Sequence, residues 1–287
     1  MKLSSQEFEL LRKYIHDICG LAISDNKAYL IRQRLEPLAM AHGCNTFSEF
    51  YQLISRSSLP MLQEKIINAI TTNETSFFRD GHPFAAFEEH ILPKLGKMIC
   101  DRKARPTPRK GPKVRLWSAG SSSGQESYSL AMLIQEYAAA NRHLSISEED
   151  FGILATDISS KVLSRAMTGE YSEAEIKRGL SPDRSAKYFK KAGQRWTINS
   201  SIRSMVEFRQ INLVRPFGML GGFDVIFCRN VLIYFDNSTK TRVIDQFFNM
   251  LSQEGILILG ATENVYGISD RFDSVHHGPT LLYRKCV

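Results

Sequence analysis

The sequence predicts an all-α N-terminal domain over residues 1–75 and an α/β domain over residues 113–287. Two observations carry this expectation. Up to residue 70, apolar side chains recur three and four positions apart, the period of an amphipathic helix. Beyond residue 113, short, near-continuous apolar runs alternate with helix-length segments. That alternation marks a buried parallel sheet covered by helices on both faces.

The first helix is announced by Ser4 and Glu7, spaced as a capping box, followed by Phe8, Leu11, Ile15 and Ile18 and closed by Gly20. A second carries Ala28, Ile31, Leu35 and Leu38 and ends near Gly43. Thr46 and Glu49 repeat the capping spacing before Phe50, Leu53 and Ile54. A fourth helix carries Leu62, Ile66, Ala69 and Ile70, which makes a small bundle. Residues 76–112 read as a connector. Its end is strongly basic, with Lys97, Arg102, Lys103, Arg105, Arg109, Lys110, Lys113 and Arg115 against Asp101, and it holds Pro106, Pro108, Gly111 and Pro112. A solvated, mobile segment is expected there.

Six strands are expected in the second domain: 114–117, 151–155, 206–209, 223–228, 255–259 and 280–283. The last connection, Gly260 to Pro279, has little helical pattern, so the final strand is expected to return antiparallel. Between residues 168 and 204 the alternation breaks. Tyr171, Tyr188, Phe189, Trp196 and Ile198 are mixed with Lys, Arg, Gly and Ser, which reads as a small inserted β-subdomain above the sheet.

Composition narrows the function classes. The chain has 287 residues, 43% of them hydrophobic, and no apolar run near the roughly 20 residues of a membrane span. The N-terminus lacks the apolar core of a signal peptide. Cys19, Cys44, Cys100, Cys228 and Cys286 are scattered, with no Cys-x-x-Cys pair, so reduced cytoplasmic thiols are expected and a metal site is not. The net charge of +7 favours an acidic partner. Interleaved basic and aromatic repeats of a nucleic-acid module are missing from the sequence.

The residues suited to chemistry cluster at element ends. Thr71-Thr72-Asn73-Glu74-Thr75-Ser76-Phe77-Phe78-Arg79 follows the last bundle helix and combines amide, hydroxyl, aromatic and arginine side chains, a composition suited to gripping a small charged ligand. The first strand runs into Ser118-Ala119-Gly120-Ser121-Ser122-Ser123-Gly124-Gln125-Glu126 and then a helix, a turn that lets a ligand approach backbone N–H groups. Asp157 ends the second strand, where an acid can accept from both hydroxyls of a ribose or cap the next helix. Asn212-Leu213 follows the third strand, and Phe227 to Asp236 ends the fourth, with Asn230 and Tyr234 facing the mouth of the site. Gly120 to Gly124 also matches Gly-x-Ser-x-Gly, with Ser122 as nucleophile and Asp224 or Asp236 and His276 or His277 in order behind it. The helical character of everything upstream argues against that reading, because a hydrolase elbow needs preceding strands.

Taken together, these segments resemble the chemotaxis-receptor glutamate methyltransferases, the CheR family. The matching motifs are Thr71 to Arg79, Leu116 to Gly120 through Tyr128-Ser129-Leu130, Ala155 to Ile158, Asn212-Leu213, and Phe227 to Asp236. The resemblance covers nearly the whole chain. It implies a Rossmann-like class I methyltransferase domain, S-adenosylmethionine as cofactor with S-adenosylhomocysteine as product, and no metal. It implies that Asn73, Thr75, Arg79, Glu126, Asp157, Asn212, Leu213, Asn230 and Val231 contact the cofactor. Arg79 would also lie near the reacting centre and Tyr234 on the substrate side. The acceptor would be a glutamate on the cytoplasmic methylation helices of a receptor, and Lys27, Arg32 and Arg34 would steer the enzyme onto that acidic surface. A cytoplasmic monomer is expected.

The sequence departs from the family pattern in places. Gly124-Gln125-Glu126-Ser127-Tyr128 stands where Gly-Glu-Glu-Pro-Tyr is usual, Ser121 stands where Cys is frequent, and the basic connector is long. Around Lys191 to Trp196 the inserted subdomain lacks the glycine-rich extension of members that tether to a receptor's C-terminal peptide, so no such tether is expected.

Overall fold

The computed structural model describes residues 1–56, 59–105 and 111–286. The bundle helices form where the apolar spacing puts them: α1 (Ser5–Cys19), α2 (Ala28–Ala41), α3 (Phe47–Arg56) and α4 (Pro60–Ile70). At α1 the capping box is complete, since Ser4 Oγ accepts from Glu7 N at 3.3 Å and the Glu7 carboxylate accepts from Ser4 N at 2.9 Å. At α3, Thr46 Oγ1 accepts from Glu49 N at 3.1 Å, but the Glu49 carboxylate reaches past the cap to Asn45 N. The apolar stripes meet in one core of Leu11, Ile15, Ile31, Leu35, Phe47, Phe50 and Ile66, with Ile158 of the second domain packed against it.

Residues 82–104 differ from the expected connector. They form α5 (His82–Ala86), a wide turn at Phe87–Ile91 and α6 (Leu92–Ala104). Phe84, Phe87, Ile91, Leu92, Leu95 and Ile99 are buried in the same core as sheet residues Leu116, Val225 and Ile256. Pro83 and Pro93 sit in the first turn of their helices, where the missing N–H costs nothing. Part of the basic stretch is neutralised as well: Arg102 pairs with Asp224 and Lys103 with Asp150. Pro106, Pro108, Arg109 and Lys110 lie outside the described residues.

The second domain follows in chain order. β1 (Val114–Ala119) leads to α7 (Gln125–Ala140), β2 (Phe151–Asp157) and α8 (Ser160–Thr168). The insertion holds β3 (Glu170–Ser172), α9 (Glu173–Lys177), α10 (Pro182–Tyr188), β4 (Phe189–Ala192), β5 (Arg195–Ile198) and α11 (Ser200–Arg203). Then come β6 (Val206–Gln210), β7 (Phe223–Cys228), α12 (Asn237–Met250), β8 (Leu251–Leu259), β9 (Phe272–His277) and β10 (Thr280–Lys285). Among the described residues the main sheet runs β6-β2-β1-β7-β8-β10-β9, and the insertion is a separate sheet, β3-β5-β4. The five strands from β6 to β8 are parallel, and β10 is antiparallel to β8, as expected. β9 is an unexpected edge strand; its Asp273-Ser274-Val275-His276 is mostly exposed and shows no apolar face in sequence. The order is the doubly wound one with a last strand slipped in antiparallel, so it reverses between β1 and β7.

Neighbouring side chains on each strand go to opposite layers. Leu116, Val225 and Ile256 join α6 and α7, whereas Trp117, Ile226 and Leu257 join Val243, Ile244 and Phe247 of α12. The bundle seats on the carboxyl ends of the strands. Asn68 accepts from Ser159 Oγ at 2.7 Å, Ala22 N donates to Tyr234 O at 2.8 Å, Asn212 Nδ2 donates to Ile18 O at 2.8 Å, and His16 Nε2 meets Asp236 at 2.7 Å. Asp236 also caps α12 by accepting from Thr239 N, and that bond together with His16 holds its pKa well below the ordinary value.

Candidate functional site

A cleft opens between the bundle and the carboxyl ends of β1, β2, β6 and β7, at the point where the strand order reverses. Every expected cofactor residue lines it: Asn73, Thr75, Arg79, Glu126, Asp157, Asn212, Leu213, Asn230 and Val231, with Tyr234 beside them. Cys19 at the end of α1 and Leu21 just beyond it also line the cleft, with Ile233 and Phe235.

The β1 turn is shaped by close packing. Gly120 has φ 79°, and a Cβ there would lie 2.3 Å from Val231 Cγ2, so the β1 and β7 loops touch through a bare backbone. Ser122 adopts φ 50°, uncommon for a side-chain-bearing residue, and is held on both sides. Its N–H donates to Asp157 Oδ2 at 2.8 Å and its Oγ donates to Asn73 O at 3.0 Å. These bonds dispose of the hydrolase reading. Ser122 faces a carbonyl, Asp224 is engaged by Arg102, Asp236 pairs with His16, and His276 and His277 lie on edge strand β9.

Two buried carboxylates face the cleft. Asp157, 8% exposed, accepts one backbone N–H on each oxygen, from Ser122 on Oδ2 and from Ser159 at 2.9 Å on Oδ1. Burial raises its pKa against the lowering effect of the N–H groups of Ser159, Ser122 and Ile158. Glu126 opens α7; its Oε1 accepts from Ser118 Oγ at 2.9 Å and its Oε2 from Arg229 Nη1 at 3.1 Å. A carboxylate offers about four acceptor positions. Each of these acids therefore keeps acceptor capacity towards the cleft, counting partners among the described residues. Donor groups of a ligand, such as ribose hydroxyls at Asp157 and an ammonium at Glu126, fit that capacity.

Arg229, which the sequence reading did not single out, ties the site together. Its side chain is 2% exposed. Nη1 meets Glu126, while Nη2 donates to Arg79 O at 2.9 Å and Asp80 Oδ2 at 2.6 Å, so one guanidinium joins the β7 end, α7 and the Thr71–Arg79 loop. Its Nε has no partner among the described residues. Arg79 itself donates Nη1 to Glu74 O at 2.9 Å, curling the loop so that its guanidinium lines the cleft. Only the preceding cysteine and the strand end hint at Arg229 in sequence; its bridging role depends on three distant segments meeting.

Two other expected residues have partners of their own. Asn212 lines the cleft, but its side-chain amide is occupied, donating to Ile18 O and accepting from Val214 N. Arg34 is not part of an open cationic face. Its Nη1 donates to the carbonyls of Ile70 at 3.0 Å and Thr71 at 2.7 Å, satisfying the end of α4 and the root of the 71–79 loop. Lys27 and Arg32 are exposed, Arg32 beside Glu36 at 3.6 Å. The departures in the β1 turn fall away from the cleft. Gln125 is buried and accepts from Ser123 Oγ, and Ser127 is buried in α7.

Comparison with known proteins gives a consistent result. Residues 73–280 match the family described as CheR methyltransferase, SAM binding domain, and residues 6–71 match CheR methyltransferase, all-alpha domain. Chemotaxis protein methyltransferase 1 of Pseudomonas aeruginosa is 38% identical over 285 residues, 99% of each chain. Chemotaxis protein methyltransferase 1 of Vibrio cholerae is 36% identical, covering 98% of each. The chemotaxis protein methyltransferase of Salmonella typhimurium is 30% identical over 95% of this chain and 88% of its own.

Proposed function

The chain belongs to the CheR methyltransferase family, and on that premise we propose that it methylates glutamate side chains of chemotaxis receptors, forming glutamate methyl esters. It is an S-adenosylmethionine-dependent methyltransferase. The observation that carries the site assignment is the cleft at the reversal of strand order, with Asp157 and Glu126 both holding acceptor positions towards it.

When bound, S-adenosylmethionine supplies a methyl group on a positively charged sulfur. A glutamate acceptor has a reference pKa of about 4.3 and is ionised at neutral pH, so the chain has no proton to move. Its work is to hold and to dry. Asp157 suits a ribose, Glu126 suits the amino end of the amino-acid part, and Arg79 lies where a carboxylate can be met. With cofactor and acceptor in place, the apolar side chains of Leu21 and Phe235 would screen water from opposite charges that neutralise one another as they react. Alignment of this kind supplies large effective molarities.

Lys27 and Arg32, exposed on the bundle, would steer an acidic receptor helix towards the cleft, with Tyr234 on the acceptor side. The β4–β5 hairpin turns through Gly193-Gln194 alone, with Ala192 opposite Arg195. That short turn supports recognition without a C-terminal receptor tether. The reading places the chain in the cytoplasm as a monomer; no helix among the described residues is long and apolar enough to cross a membrane.

The test is transfer of labelled methyl from S-adenosylmethionine to receptor-containing membranes of the same organism. Label in a receptor-sized band, released as methanol by mild alkali and abolished by Arg79→Ala, is expected. Alkali-stable label would contradict the ester. Equal labelling of receptors truncated at the C-terminus is expected, and loss of it would contradict tether independence.

A further inference from the structure

One carboxylate lies behind the cleft and holds part of its wall. Glu263, in the turn after β8, is 9% exposed. Its Oε2 accepts from Asn230 N at 2.6 Å and Gly260 N at 2.7 Å. Its Oε1 accepts from Val231 N at 2.9 Å and Ile233 N at 3.2 Å. Four backbone donors on two oxygens use the full acceptor capacity of an ionised carboxylate. Glutamine could not replace it, because its single carbonyl would leave an NH₂ group against two N–H donors.

The clamped backbone is a segment that lines the cleft. Asn230 stands at φ 57°, a left-handed conformation that asparagine tolerates better than most side-chain-bearing residues, and the carboxylate holds its N–H there. Val231 N and Ile233 N flank the start of the tight turn Leu232–Tyr234. Gly260 closes the other side. A Cβ there would lie 2.6 Å from Glu263 Oε2 and 2.8 Å from Asn230 N.

We propose that Glu263 is a positioning residue for methyl transfer. Its carboxylate fixes the backbone from Asn230 to Tyr234 so that Asn230 and Val231 meet the cofactor and Tyr234 meets the acceptor. The proposal deepens the methyltransferase reading and rests on it.

Two measurements on Glu263→Gln test it. Amide hydrogen exchange of the segment 229–235 in cofactor-free protein reads the clamp, and the Kd of S-adenosylhomocysteine by calorimetry reads its consequence. Exchange should quicken and Kd should rise, each roughly tenfold, the scale of a lost charge-assisted hydrogen bond. KM for S-adenosylmethionine should rise more than kcat falls, a split that general destabilisation would not produce. Asp224→Asn, which loosens a carboxylate equally buried at the far end of the sheet, should change neither the exchange of this segment nor Kd. If Glu263→Gln does not fold, Glu263→Asp, charged but one methylene shorter, is read by the same measurements. Unchanged exchange would overturn the clamp. Faster exchange with unchanged Kd would overturn the place of Asn230 and Val231 in the cofactor site.

Discussion

Strand β7 begins and ends at an acid–arginine pair, half-exposed at Arg102 and buried at Arg229, and the two pairs are built to different ends. At its start, Asp224 is saturated. It accepts from Arg102 Nη1 at 3.0 Å and Nη2 at 2.7 Å, from Arg115 N at 2.9 Å and from Ser252 Oγ at 3.1 Å. At its finish, Arg229 is divided among Glu126, Asp80 and a carbonyl, and Glu126 takes only one further donor, Ser118. Similar chemistry thus gives a closed staple at one end of the sheet and an open acceptor at the other. The capacity left unfilled among the described residues, rather than the ion pair, distinguishes the end we propose to bind the cofactor.

The strongest way to break the comparison is Arg229→Met. It strands the buried carboxylate of Glu126, and losing one partner of a buried pair costs about 3 kcal/mol or more. Denaturant unfolding should show that loss, and calorimetry should show no measurable S-adenosylhomocysteine binding. Asp224→Asn should cost about 2 kcal/mol by the same unfolding measurement, because it leaves Arg102 half-paired, while binding stays within roughly twofold. Glu126→Gln should move both readouts: it leaves the buried Arg229 with Asp80 as its one carboxylate partner, which should cost about 2 kcal/mol, and the Kd of S-adenosylhomocysteine should rise roughly tenfold.

The smallest effect concerns pH. Burial raises the pKa of Asp157 in the folded protein above its ordinary 3.8. The folded state therefore takes up this proton before the unfolded state does, so the carboxylate's burial opposes folding at neutral pH. That opposition is relieved as pH falls through the raised value and is gone below 3.8. Ligand hydroxyls need the ionised form, so affinity should fall by a few-fold on acidification through the same window, as a calorimetric pH series would show. Asp157→Asn should lower affinity and abolish this pH dependence.

The same contrast explains what could be read from sequence. Asn73, Arg79, Glu126, Asp157 and Asn230 lie at or beside strand and helix ends, where local motifs carry chemistry, and all of them line the cleft. The parallel strands were legible because both of their faces are buried, which leaves unbroken apolar runs such as Phe223 to Cys228. α5 and α6 were hidden by Pro83, Pro93, Gly96 and a basic tail, and β9 by polar residues facing solvent. Arg34, Arg229 and Glu263 owe their roles to distant partners: Ile70 is 36 residues from Arg34, Glu126 is 103 from Arg229 and Asn230 is 33 from Glu263. No local pattern records such convergence.

The most direct measurement is a crystal structure of the protein with S-adenosylhomocysteine. The expected result has the ribose hydroxyls on Asp157 and the amino group on Glu126, with Asp224 unchanged in its staple. A ligand bound elsewhere, with Glu126 still meeting only Ser118 and Arg229, would contradict the assignment of the open carboxylates as the functional end of the sheet.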